Sequence, residues 1–108
     1  MQIVDINKLS FERYVAKCNK YVLVDFWAKW CSPCKSMSSI FMAVKNDFCN
    51  LRILNINIEE SPDIASMNNV VSLPTLILFN DGHKIDVKVG IMDNIQLKYW
   101  IKKTHNIN

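Results

Sequence analysis

Apolar residues fall along this chain in two alternating rhythms, one of strands and one of helices. Residues 2 to 6 (QIVDI) suit a short edge strand. From Phe11 the apolar positions Phe11, Tyr14, Val15 and Cys18 recur at three- and four-residue intervals, the stripe of an amphipathic helix. That periodicity puts Cys18 in the core. Residues 21 to 27 (YVLVDFW) are nearly continuous in β-formers, which is how a strand covered on both faces reads. After the segment KWCSPC at 29 to 34, the residues Cys34, Met37, Phe41, Val44 and Phe48 line one face of a second helix. This register sets Cys34 at the top of a buried stripe and leaves Cys31 at or before the first turn, where its side chain reaches solvent.

Residues 51 to 58 (LRILNINI) alternate well enough for a strand. Ser61 and Pro62 start a short helix to about Met67, with serine as the cap and proline at the first helical position. Thr75 to Phe79 and Lys84 to Val89 are two β-rich runs around Asn80, Asp81, Gly82 and His83, and an Asp-Gly pair there predicts a hairpin. Asp93, with Gln96 three residues on, opens a last helix through Leu97, Trp100, Ile101 and Thr104. The order βαβαβαββα, parallel early and antiparallel late, predicts an α/β fold: a mixed central sheet covered by helices on both faces.

At 108 residues the chain suits a single domain over 1–108, and its 50% hydrophobic and 21% charged residues exclude a disordered tail or a polar linker. The 13 basic and 10 acidic residues leave a net charge of +3, scattered rather than gathered into the basic stripe a nucleic-acid binder needs. Tyr21 to Ala28, interrupted by Asp25, is far too short to cross a bilayer. Residues 1 to 5 lack the basic head and apolar core of a signal peptide. These features predict a soluble, cytoplasmic protein, in which the four cysteines at 18, 31, 34 and 49 are redox or metal residues rather than structural bridges.

Cys31 and Cys34 stand three apart at a helix start, on one side, with Cβ atoms about 5 to 6 Å apart. Modest adjustment brings them to disulfide distance. A thiol at a helix N-terminus faces unpaired N–H groups and the positive end of the dipole, so Cys31 is the natural nucleophile. Two other readings stand beside this one. A static bridge closing so short a loop would contribute only about 2 kcal/mol. A zinc site would draw on all four cysteines, although one C-x2-C with two remote cysteines is not a pair of knuckles. Cys49, beside Asp47 past the helix end, reads as a spare thiol or a site of regulatory oxidation. Asp25 is an acid between apolar Val24 and Phe26: either buried, and able to exchange a proton with a nearby thiol such as Cys34, or facing water near a strand end.

The run from Val22 to Lys35 (VLVDFWAKWCSPCK) resembles the active-site segment of the thioredoxin family. Leu73 to Phe79 (LPTLILF) resembles the family's cis-proline strand, and Lys88, Val89 and Gly90 resemble its substrate loop. The likeness covers essentially the whole chain. It implies a dithiol–disulfide reductase in which Cys31 attacks a client disulfide, Cys34 resolves the mixed disulfide and Asp25 accepts the buried thiol's proton. It also implies that Pro74, if cis, lies opposite the cysteines, and that Trp30, Pro33, Leu73, Gly90 and Ile91 form a flat apolar contact surface with it. No cofactor is implied beyond the Cys31–Cys34 disulfide. The implied partners are disulfide-containing client proteins and an NADPH-dependent thioredoxin reductase, with the chain acting as a monomer. Three positions depart from the family pattern: Ser32 replaces a glycine and, with Pro33, bears on redox potential; Asn55 stands where many relatives have a lysine near the buried acid; Ser39 replaces a helix-bending proline. The alternative is a non-catalytic module docking partners through the apolar rim around Trp30 and Pro74.

Overall fold

In the computed structural model, which describes Ile3–Asp5, Phe11, Val15 and residues 21–107, the expected strands form one sheet. They are β1 (Ile3–Asp5), β2 (Tyr21–Trp27), β3 (Leu51–Asn57), β4 (Thr75–Asn80) and β5 (His83–Val89), in the spatial order β1-β3-β2-β4-β5. β2 lies in the middle, parallel to β3 and antiparallel to β4. A parallel step needs a crossover, and α1 (Ser32–Val44) with a 3-10 turn at Lys45–Asp47 supplies it between β2 and β3. α2 (Pro62–Met67) joins β3 to β4, and α3 (Asn94–Tyr99) runs on into a π-helical segment, Trp100–Thr104. No helix among the described residues is long and apolar enough to cross a membrane.

The two-residue period of β2 sorts its side chains between two cores. Leu23 faces Met37, Phe41, Val44 and Phe48 together with Leu97 and Ile101. Val22, Val24 and Phe26 face the other way, toward Phe11, Val15, Ile64 and Ala65. Helices on both faces therefore account for the unbroken apolar run; of the stripe expected along the second helix, Cys34, Met37, Phe41 and Val44 are buried on α1, while Phe48 is buried past its end, after the 3-10 turn. Phe11 and Val15 are helical and buried as expected; Tyr14 and Cys18 of that stripe, and Gln2 and Ile6 of the first strand, lie outside the described residues.

Local signals met the structure with one exception. Asp81 and Gly82 both take positive φ, 53° and 80°, as a two-residue hairpin turn requires. Asp93 and Gln96 form the full capping box, with the Gln96 amide donating to Asp93 Oδ1 at 2.8 Å and the Asp93 amide to Gln96 Oε1 at 3.0 Å. Ser61 does precede α2, but its side chain makes no capping bond. Its φ of −133° and ψ of 63° depart from the extended conformation that aims a cap oxygen at the first turn.

A polar cluster fastens the C-terminal end to β5. Asp86 Oδ2 accepts the Trp100 indole N–H at 2.6 Å and lies 2.7 Å from His105 Nε2, while the Ile107 amide donates to Ile101 O at 3.2 Å. Burial pushes the Asp86 carboxyl up, but hydrogen bonds from Trp100, His105 and the Val87 amide, with the charge of His105, outweigh it and hold the pKa below the ordinary value. Asp86→Ala is expected to lower stability by about 1 to 3 kcal/mol in urea unfolding at neutral pH. Because the folded pKa is depressed, that gap is present above the ordinary carboxylate range and closes as acid protonates Asp86.

Candidate active site

The site is assembled where β2 gives way to α1. The chain leaves Trp27, turns with the Cys31 amide donating to Ala28 O at 3.1 Å, and enters the helix with Cys31 as N-cap and Pro33 in the first turn. Cys31 Sγ accepts the Cys34 amide at 3.2 Å, taking up one of the donors that a helix start leaves unmet. No acidic residue stands in the first turn, so the positive end of the helix is not offset there. The two cysteines are joined as a disulfide with Cα atoms 5.4 Å apart.

One expectation needs correction. Cys31 was expected at solvent, yet it is 4% exposed, hardly more than Cys34 at 2%. The cause is tertiary packing: Trp27, Ile58 and Leu73 close over a small cluster of Ala28, Cys31 and Cys34. Trp27, Ala28 and Ile58 were not foreseen as site residues. They could have been found from topology, since β2 and β3 run parallel and both end here, and ligand sites of α/β sheets gather at carboxyl ends of strands.

The Leu73–Pro74 peptide is cis, and the buried Pro74 accepts the Gly90 amide on its carbonyl at 2.9 Å. This bond ties the start of β4 to the loop after β5. Gly90 has φ of +100° with open space where a side chain would begin, so backbone rotation rather than crowding favours glycine. The next contact in that loop is the Met92 amide, 3.5 Å from the Met37 sulfur of α1. Trp30 is 66% exposed, and Ser32, Pro33 and Ile91 are also exposed, outside the buried cluster. The structure thus brings Cys31, Cys34 and Leu73 into contact and links Pro74 to Gly90, while Trp30, Pro33 and Ile91 are exposed.

Asp25 is 2% exposed, which removes the reading of a water-facing acid. It alternates with Leu23, which packs against Met37 and Phe41 of α1, and with Trp27, which packs against the cysteines. Its carboxyl is therefore on the sheet face that α1 covers. Burial pushes its pKa up to about 7. Its register partners are Asn55 on β3 and Leu76 on β4. Cys49 is exposed, just beyond the 3-10 turn. Among the described residues, no group of three or more His, Cys, Asp or Glu side chains could hold a metal ion.

A C-x-x-C pair closed on itself at a helix N-cap suits the exchange of a protein dithiol for a disulfide, and together with the relatives that follow it makes the protein a thiol–disulfide oxidoreductase. Comparison with known proteins gives the family. The family model described as thioredoxin matches residues 2–103. The thioredoxin of Buchnera aphidicola subsp. Acyrthosiphon pisum is 36% identical over 108 residues, covering 99% of this chain and 98% of its own. Those of Rickettsia bellii and Pseudomonas aeruginosa are each 40% identical, covering 90% and 92% of this chain and 93% of their own. The chain belongs to the thioredoxin family.

Proposed function

We propose that the protein reduces disulfides of client proteins, with Cys31 as nucleophile, Cys34 as resolving thiol and Asp25 as proton acceptor. The observation that carries this reading is the Cys31 Sγ at the N-cap of α1, accepting the Cys34 amide. In the dithiol form the same amide and the helix dipole favour a thiolate at Cys31. That thiolate attacks one sulfur of a client disulfide; a Cys31–client bond forms, the client bond breaks, and the departing sulfur takes up a proton. Cys34 then gives its proton to Asp25 and attacks the Cys31 sulfur, releasing the second client thiol. Two electrons pass from the dithiol to the client, leaving the Cys31–Cys34 disulfide.

Trp30, Pro33, Leu73, Pro74, Gly90 and Ile91 are the client contact surface in this proposal, supported by the exposure of Trp30, Pro33 and Ile91, the packing of Leu73 on the cysteines and the Pro74–Gly90 bond. Ser32 and Pro33 tune the couple through the geometry of the first turn. Electrons come from an NADPH-dependent thioredoxin reductase, and the protein works as a cytoplasmic monomer of one domain over 1–108. Scattered charge supports partners that are proteins rather than nucleic acids. No observation favours the non-catalytic module.

The test is reduction of insulin with NADPH and thioredoxin reductase. NADPH oxidation that depends on both this protein and insulin is expected, and its absence would overturn the reading. Equilibration with glutathione then separates a reductase from an isomerase-like poise, whose midpoint lies near about −180 mV against about −270 mV for thioredoxin.

A further inference from the structure

Two buried oxygens on adjacent strands lack partners. Among the described residues Asp25 Oδ1 and Asn55 Oδ1 find no hydrogen-bond partner, and the two residues are register partners in the parallel β2–β3 pair. Partners in this pair leave the sheet on the same face: Leu23 and Ile53 share one core, Val24 and Leu54 the other. Unmet buried oxygens are rare because each loses its hydration. Two at matched positions point to one shared cause.

The groups around them narrow the cause. α1 presents Cys34, Met37 and Phe41 as buried side chains, and the C-terminal helix presents Leu97 and Ile101, none of them charged. Along the row, Leu76 is the other partner of Asp25, Lys88 lies beyond it on β5, and Asp5 of β1 pairs with Asn55 on its far side. The polar side chain at the register of Asp25 on its own neighbouring strand is Asn55.

Two bare acceptors cannot bond to each other, but one proton resolves the conflict. The acid form of Asp25 carries an O–H that donates to Asn55 Oδ1. In the carboxylate form, a half-turn of the Asn55 amide brings Nδ2–H to the place of the oxygen, and the carboxylate accepts. We propose that Asn55 is a positioning residue for the resolving step, its amide accepting from the acid form of Asp25 and donating to the carboxylate. Asp25 is thereby held in place whether it is waiting for the Cys34 proton or has taken it. This rests on Asp25 being the proton acceptor proposed above.

The wild-type dithiol protein gives a first test by NMR. The Asn55 side-chain amide signals are expected to shift with pH at the midpoint of the Asp25 carboxyl carbon; an amide silent through that titration overturns the proposal. In Asn55→Leu the charge-assisted bond lost is stronger than the neutral one, so the Asp25 midpoint should rise by about one pH unit. Decay of a preformed mixed disulfide at pH 7 should slow by about fivefold, the fall in ionised fraction such a shift produces. In an Asp25→Asn background the Asn55→Leu change should leave that decay nearly unaltered. A folded Asn55→Leu protein with an unmoved midpoint overturns the proposal. Were Asp25→Asn alone to resolve at the wild-type rate, the role of Asp25 would fail instead, while the wild-type titration would still report on its pairing with Asn55.

Discussion

Asp25→Asn is expected to make the protein more stable at pH 8 by about 3 to 4 kcal/mol while slowing its chemistry. The Asp25 carboxyl titrates at about 7 in the folded protein against an ordinary value of 3.8. Between those values the unfolded chain has released the proton and the folded protein still binds it, so stability falls as pH rises, by about 1.4 kcal/mol per unit. The full contribution is present below the lower value. It is gone once pH has passed through the upper one. Asparagine keeps the shape of the side chain and cannot ionise, so the substitution removes the fall and leaves the acid end nearly unchanged. Total stabilities of small domains are only about 5 to 15 kcal/mol, which makes this a large fraction. Urea unfolding of both proteins at pH 4 and pH 8 decides it: curves that converge at pH 4 and separate at pH 8 are expected. A parallel pH dependence in the two proteins would mean that Asp25 is not held neutral by burial.

How far the sequence led to this carboxyl depended on which kind of pattern was being read. Periodicity recovered whatever belongs to one element. The stripe Cys34, Met37, Phe41 and Val44 is buried as expected, because a helix repeats its core contact every three or four residues. An acid between Val24 and Phe26 had to be buried once β2 proved central, since both faces of that strand are covered. Contacts between elements left no such trace. Cys31 was expected in the open because helix register says nothing of Leu73, which reaches it from a segment far along the chain. The same reason hid Trp27 and Ile58, which read as ordinary strand ends, and the Asp86, Trp100 and His105 cluster, whose members lie on β5 and the C-terminal segment. Ser61 shows a further limit: residue type names a good cap, but the backbone angles decide whether the oxygen is aimed. The expectation that Pro74 faces the cysteines came from family likeness alone; the structure shows the Leu73–Pro74 bond cis and Leu73 packed against them.

The near-equal cover of the two cysteines sharpens the other large prediction. Cys31→Ser is expected to abolish disulfide reduction, whereas Cys34→Ser should still attack clients and stop there, accumulating mixed disulfides that mass spectrometry identifies. A hydroxyl in place of Cys31 offers no thiolate to open the client bond, and the thiol left beside it, Cys34, is held on the buried face of α1. With Cys34 replaced, the first exchange proceeds, but the neighbouring thiol that displaces the client from Cys31 is gone. The order of attack follows from acidity more than from access, because the two residues differ by only 4% against 2% in exposure. Cys31 is the N-cap, with its sulfur on the Cys34 amide, while Cys34 lies on the buried face among apolar side chains that disfavour its charged form. Iodoacetamide at pH 7 should therefore label Cys31 of the dithiol protein first, with a rate that falls as pH drops through the thiol's own titration. Faster labelling of Cys34, or client adducts trapped by Cys31→Ser rather than Cys34→Ser, would reverse the two roles.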